Sequence, residues 1–344
     1  MTSINHTVRK HARLSASRTE RFMECPGSVL LENQMPYEPA GEAAERGTRI
    51  HELGERLLRG EEPADILRSG ADGDELAMAQ NYADFVNTLC DNPRKKLIEV
   101  NVDEGLKSLH PSLGGTADAI LAEGNTLHVV DLKTGRIPVD AKENKQMLTY
   151  ALGAMRQFNA PSTIEVKVHI YQPMTGHSSW ETTGERLIQH GEELKAAADL
   201  ALSGNAPTIP GTEQCRWCRA KTICPSLREK AAEAARQDFA PDMTITPEML
   251  ETAHLVQSWS EAVIEAAKQQ VSNDIEIPGW RLRSGRKTRF WSVQQMAEEA
   301  LRDYREAWEL KSPAQIAKLG IDLPEGLIGE KLSAPSLVRA KPNE

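Results

Sequence analysis

Two short segments, TADAILA at 116–122 and TLHVVDL at 126–132, constrain this chain more than any other part of it. Both are rich in β-branched and aliphatic residues, and a Gly124–Asn125 turn signal separates them, so they read as neighbouring strands of a hairpin. The second strand runs on through Asp131, Leu132 and Lys133. Side chains alternate along a strand, so Asp131 and Lys133 leave the same face while Leu132 points the other way, into the core. Val129–Val130 mark a central strand, where a charged pair is expensive unless it has a task. Asp118 lies near the start of the first strand, where the hairpin can bring its carboxylate towards that of Asp131.

The flanking sequence places this hairpin in an α/β core with a mixed central sheet flanked by helices. Residues 42–60 put Ile50, Leu53, Leu57 and Leu58 at helical spacing, with Gly60 as a stop. Residues 74–90 read as a second amphipathic helix, 96–102 as a strand, 142–158 as a helix, and 163–173 as a strand closed by Pro173. A long helix over about 185–203 leads to a cysteine-bearing segment, 211–226. This organisation predicts a domain over 1–240. Beyond it, 241–344 reads as a mainly helical region of unassigned role, with helices at 247–270 and 292–309 and a Pro-rich end lacking regular structure.

No apolar run approaches the roughly 20 residues that a membrane span needs. The N-terminal stretch MTSINHTVRKHARLSAS has no apolar core behind its basic residues, so it does not read as a secretory signal, and a cytoplasmic location is expected. A net charge of −9 argues against a general nucleic-acid coating protein. Local basic patches could still bind a polyanion. Arg9, Lys10, Arg13, Arg18 and Arg21 form one. RLRSGRKTR at 281–289 forms another, with five basic residues in nine, no acid, and Trp280, Phe290 and Trp291 beside it. A solvated basic hairpin explains either patch, taken alone, equally well.

Two carboxylates and an ammonium on one sheet face suit phosphodiester hydrolysis. Mg²⁺ or Mn²⁺ takes oxygen ligands and keeps waters, leaving positions for a phosphate and an attacking water. Lys133 would stabilise developing negative charge or orient that water. Polar residues alternating on a wet strand face are the plainer explanation of D-x-K alone. Gln146 and Tyr150 add weight, because they stand i,i+4 on the following helix and share its face. His51, on the helix 42–60, is a candidate imidazole ligand that would favour Mn²⁺, and Glu99 is a weaker candidate for the same site.

The ordered set of G-T-x-x-H (Gly47 to His51), G-G-T-A-D (ending at Asp118), D-L-K-T-G (Asp131, Lys133) and Q-x-x-x-Y (Gln146, Tyr150) resembles the RecB-like PD-(D/E)xK nucleases. It is most similar to phage-encoded members carrying an iron–sulfur cluster, over about residues 14–226. The resemblance implies a PD-(D/E)xK core and a DNA exonuclease or endonuclease acting in phage replication, recombination or processing, in the host cytoplasm. It also implies Asp118, Asp131, the backbone carbonyl of Leu132 and His51 as metal ligands, with Lys133 as the catalytic lysine. Relatives also use Glu where this chain has Asp131, and either carboxylate serves.

Cys215, Cys218 and Cys224 form C-x₂-C-x₅-C and can converge on one metal. Cys25 or Cys90 can supply a fourth thiol. Cys25 is chosen because Pro26–Gly27 makes a turn that exposes it, whereas Cys90 closes an amphipathic helix as a small hydrophobe. Spacing alone favours Zn²⁺ over a [4Fe-4S] cluster. One N-terminal cysteine with three after the core resembles the cluster of related helicase–nucleases and CRISPR-associated nucleases, which reverses that order. The cluster would close a loop of about 190 residues. Trp217, Trp280 and Trp291 could stack single-stranded bases, or pack in a core. With no phosphate-binding Walker loop, any helicase or recombination partner is a separate chain. The rival reading is a catalytically inactive nucleic-acid-binding or scaffold protein with a Cys₄ metal site.

Overall fold

The architecture comes from a computed structural model, which describes residues 12–36, 39–90, 93–236, 244–304, 312–318, 321–324, 326–332 and 336–339. The chain divides into two units, Met1–Ser258 and Trp259–Glu344.

The first unit opens with β1 (Leu14–Ser15), α1 (Thr19–Glu24), α2 (Ser28–Glu32), α3 (Glu42–Leu58), α4 (Pro63–Arg68) and α5 (Gly73–Thr88). Then come β2 (Lys95–Asn101), α6 (Asp103–Lys107), β3 (Leu113–Gly114), β4 (Thr116–Glu123), β5 (Thr126–Leu132), α7 (Lys145–Gln157), β6 (Glu165–Gln172), β7 (Gly176–Thr183) and α8 (Gly184–Ala201). Cys215 lies within α9 (Thr212–Arg216), Cys218 and Cys224 precede α10 (Pro225–Ala234), and α11 (Pro247–Ser272) follows, crossing the boundary between the units.

Five strands form the central sheet in the order β2-β4-β5-β6-β7. The β5–β6 pair is parallel and the other pairs are antiparallel, so the sheet is mixed as expected. The parallel pair requires a crossover, and α7 supplies it. Alternation along β5 then fills two cores. Leu127 and Val129 join the apolar cluster that includes Met147, Ala151 and Leu187 from α7 and α8. Val130 and Leu132 join the opposite cluster with Ile50 and Leu53 of α3 and Tyr82 of α5. Both faces of β5 are therefore covered, which accounts for its nearly continuous apolar composition.

Three sequence expectations are corrected. GHSSWETT, left without regular structure, is the edge strand β7. It alternates half-buried and exposed positions, which weakens its apolar signal. The helix expected from 142 begins at Lys145, because the Asn144 side chain accepts the Met147 N–H and caps it. The C-terminal region carries strand as well as helix. Beside α11, α12 (Gln294–Ala300) and α13 (Pro313–Lys318) it contains β8 (Trp280–Arg283), β9 (Lys287–Trp291), β10 (Ile328–Leu332) and β11 (Ser336–Arg339), so its Pro-rich end is partly β-structure. The remainder of the helix expected over 292–309 falls partly outside the described residues. Among the described residues no helix is long and apolar enough to cross a membrane.

Candidate active site

The β4–β5 register pairs Ile120 with Val129 and Ala119 with Val130, so the next position sets Asp118 opposite Asp131. The ladder stops there. Oδ2 of Asp118 accepts the backbone N–H of Leu132 at 2.6 Å, and its Oδ1 lies 3.3 Å from Nδ1 of His51 on α3. On the other edge of β4, Ile98 pairs with Ala119 and Val100 with Ala117. Between them Glu99 holds a φ of 53°, a left-handed conformation uncommon for a non-glycine residue and concentrated at functional sites. His51, Glu99 and Asp118 each offer a ligand atom, all within 4.8 Å of one another.

Asp131 belongs to an adjoining network. Its Oδ2 is buried 2.9 Å from Lys133 Nζ, an ion pair without the alignment of a good hydrogen bond. Lys133 Nζ donates to Gln146 Oε1 at 2.9 Å, and Gln146 Nε2 donates to Asp131 Oδ1 at 3.0 Å and to Tyr150 Oη at 3.1 Å. The backbone supports this. Lys133 N–H donates to the Tyr171 carbonyl at 2.9 Å, continuing the β5–β6 ladder past Leu132 and holding Lys133 on the face of Asp131. Gly47 lets α3 approach the turn after Lys133, since a Cβ there would stand 2.9 Å from Thr134 Oγ1.

The two aspartates are driven in opposite directions. Burial raises the pKa of Asp131, Lys133 opposes this only in part, and the Asp118 charge raises it further. Asp118 is half-buried and desolvation raises it, but the charge and hydrogen bond of His51 and the Leu132 N–H bring it below its ordinary value. Burial favours neutral His51, yet Asp118 and then Asp131 outweigh it and raise its pKa to about 9. Burial and the two carboxylates keep Tyr150 a protonated phenol. His51, Glu99, Asp118 and Tyr150 open onto a cleft of about 820 Å³, which Ser15 and Thr134 also line.

The family described as "Protein of unknown function (DUF2800)" matches residues 11–323. The chain belongs to the DUF2800 family. A solved structure titled "Crystal structure of SSO0001" is 15% identical, with 64% of this chain and 88% of that chain covered, at a TM-score of 0.31. That score supports no structural inference.

In this DUF2800 chain His51, Asp118, Asp131, Lys133, Gln146 and Tyr150 are brought together. Leu132 meets the site through its N–H. Glu99, the weaker candidate in the sequence, belongs to the three-residue ligand group, whereas Asp131 does not, because its oxygens face Lys133 and Gln146. A lone glutamate on a strand carries no signal of its backbone conformation.

Cys25, Cys215, Cys218 and Cys224 of this DUF2800 chain are free thiols around one cavity of about 10 Å³. Gly27 permits the approach. Its N–H donates to the Pro207 carbonyl at 2.8 Å, and a Cβ would sit 2.7 Å from the Ala206 oxygen. The Ile209 N–H then donates to Cys25 Sγ at 3.2 Å. Burial raises the Cys25 and Cys215 pKa values and pushes Cys218 up to about 11. Among the described residues, no three cysteine sulfurs lie within 4.8 Å of one another. Cys90 is buried in the α3–α5 cluster, away from the other four.

The N-terminal basic patch is partly consumed by pairing. Arg21 pairs with buried Glu32, Arg18 lies 4.0 Å from it, and Glu32 Oε1 also accepts the Arg219 N–H at 3.0 Å. Arg9 and Lys10 lie outside the described residues. Trp217 is 70% exposed. Trp291 packs beside Leu301 and Ile316.

Proposed function

We propose that this protein is a metal-dependent DNA nuclease of the PD-(D/E)xK type. One observation carries the reading: Asp118 and Asp131 stand opposite each other at the end of the β4–β5 ladder, with Lys133 Nζ 2.9 Å from the second. The donor set fits a divalent cation. One imidazole and two carboxylates converge, and the raised pKa of Asp131 marks a carboxylate short of positive charge. His51, Glu99 and Asp118 would hold the ion, and by the resemblance Asp131 and the Leu132 carbonyl would join them, Asp131 exchanging its contacts with Lys133 and Gln146. Bound there, Mg²⁺ or Mn²⁺ supplies charge neutralisation at phosphate and acidifies a coordinated water.

The chain's own residues do the rest. Lys133 presents an ammonium for the negative charge that develops on the phosphate. Gln146 fixes that ammonium against Asp131 by bonding both, and Tyr150 orients Gln146. His51 holds the Asp118 carboxylate from one side while the Leu132 N–H holds it from the other.

We further infer that Cys25, Cys215, Cys218 and Cys224 hold a [4Fe-4S] cluster. The four thiols line one cavity, and one N-terminal cysteine followed by three after the core is the pattern that carries the resemblance to cluster-bearing nucleases.

The test is digestion of end-labelled single- and double-stranded DNA by the anaerobically purified chain with Mn²⁺. Cleavage abolished by Asp131→Ala and by Lys133→Ala, in folded protein, is expected. Cleavage indifferent to both substitutions overturns the site. Complete absence of cleavage on every substrate favours the inactive, DNA-binding reading.

A further inference from the structure

Tyr82 lies on α5 and is 2% exposed. Its ring packs against α3 at Gly54, which stands i,i+3 from His51 and so shares its side of the helix. Glycine makes the room. A Cβ at Gly54 would stand 3.0 Å from Tyr82 Cδ1 and 4.0 Å from Leu132 Cδ2. The ring is therefore wedged between the helix that presents His51 and the residue that follows Asp131 on β5.

A buried phenol ordinarily finds a hydrogen-bond partner, because a stranded hydroxyl costs free energy. Tyr82 Oη has none among the described residues. Burial, and then the charges of Asp118, Asp131 and Glu99, hold it protonated, so the charged groups that bear on it are the three carboxylates of the candidate site. The neighbouring phenol differs. Tyr171, whose ring centroid lies 6.1 Å from that of Tyr82, is half-buried, and Asp84 is the charge that bears on it. A phenylalanine would fill the space of Tyr82 without stranding a hydroxyl.

We propose that Tyr82 is a positioning residue of the divalent-cation site, its hydroxyl bonding to the water shell of an ion held by His51, Glu99 and Asp118. The inference rests on the cation reading of that site and adds a residue to it. Mg²⁺ and Mn²⁺ keep waters when bound by a few carboxylates, and a water on a cation is a strengthened donor. The phenol oxygen accepts from such a water. It steadies the hydrated ion without adding a charge to a site that already gathers three carboxylates.

The experiment measures Mn²⁺ binding to the full, metal-free chain from the electron paramagnetic resonance signal of the free ion. Loss of binding in Asp118→Asn assigns the bound ion to this site. Tyr82→Phe is expected to weaken binding at least about tenfold. It is also expected to raise the unfolding midpoint of the metal-free chain by about 2 to 4 °C, since it removes a stranded hydroxyl. A hydroxyl with a merely structural role would lower the midpoint and leave binding alone. Tyr171→Phe, which removes a neighbouring hydroxyl, is expected to change the affinity less than about twofold. Tyr82's role is overturned by unchanged Mn²⁺ affinity in Tyr82→Phe, by a lower metal-free midpoint, or by equal weakening in Tyr171→Phe. No Mn²⁺ binding by the unsubstituted chain, or binding that survives Asp118→Asn, overturns the cation site itself and this inference with it.

Discussion

Asp118 stands opposite Asp131 across two strands, yet its Oδ2 is already committed to the Leu132 N–H at 2.6 Å. The two carboxylates are therefore not equivalent. One is fixed to the backbone and to His51, while the other is held by the side chains of Lys133 and Gln146. Their pKa values diverge accordingly, Asp118 downwards and Asp131 upwards.

Asp131→Asn should separate stability from activity. Removing a buried charge that its surroundings disfavour is expected to leave stability unchanged or raise it by about 1 kcal/mol, while the nuclease activity that we propose falls at least about 100-fold. Urea denaturation and a Mn²⁺ cleavage assay check the pair of outcomes. A loss of several kcal/mol would show that Asp131 is instead a structural anchor.

Cys25→Ser should remove the metal centre that we propose, because the thiol closest to the N-terminus is the one that links distant chain segments. Iron bound per chain is expected to drop with loss of visible absorbance, and the midpoint of thermal unfolding should fall by several degrees, measured anaerobically. Cys90→Ser is expected to leave iron content intact. Stoichiometric zinc in the unsubstituted protein would exclude the cluster.

Glu32→Ala should destabilise the fold by about 3 to 5 kcal/mol, since it strands the partly buried guanidinium of Arg21 and removes the acceptor of the Arg219 N–H. Glu32→Gln should cost less, because an amide oxygen still accepts from Arg219. Equal losses for the two variants would mean that packing, not charge, is at stake.

Stability should also fall in mild acid. Burial lowers His169 to about 4, with His128 adding to the effect, and burial lowers His190 to about 4, with Arg186 contributing. Unfolded histidines titrate near 6.5, so between about pH 4 and 6.5 the unfolded chain binds more protons and stability rises with pH. Each histidine should remove roughly 2 kcal/mol on going from pH 7 to pH 5. Denaturant midpoints at the two values test this, and His190→Gln should flatten the dependence. A midpoint equal at both pH values would contradict it.

How much of this was legible in the sequence divides along a physical line. The alternation of Leu127, Val129 and Asp131 against Val130 and Leu132 is a property of neighbours, and it announced both the strand and the shared face of Asp131 and Lys133. The i,i+4 spacing of Gln146 and Tyr150 likewise announced a common helical face. The sequence by itself thus determined which residues could meet: local periodicity dictates which way each side chain leaves the backbone. Tertiary structure alone decided the left-handed backbone at Glu99 beside Asp118, the capture of Arg18 and Arg21 by Glu32, the polar edge strand β7, and the pairing of 280–283 with 336–339 and of 287–291 with 328–332. Each depends on segments far apart in the chain, whose meeting is settled by the free energy of the whole core and not by any window of neighbouring residues.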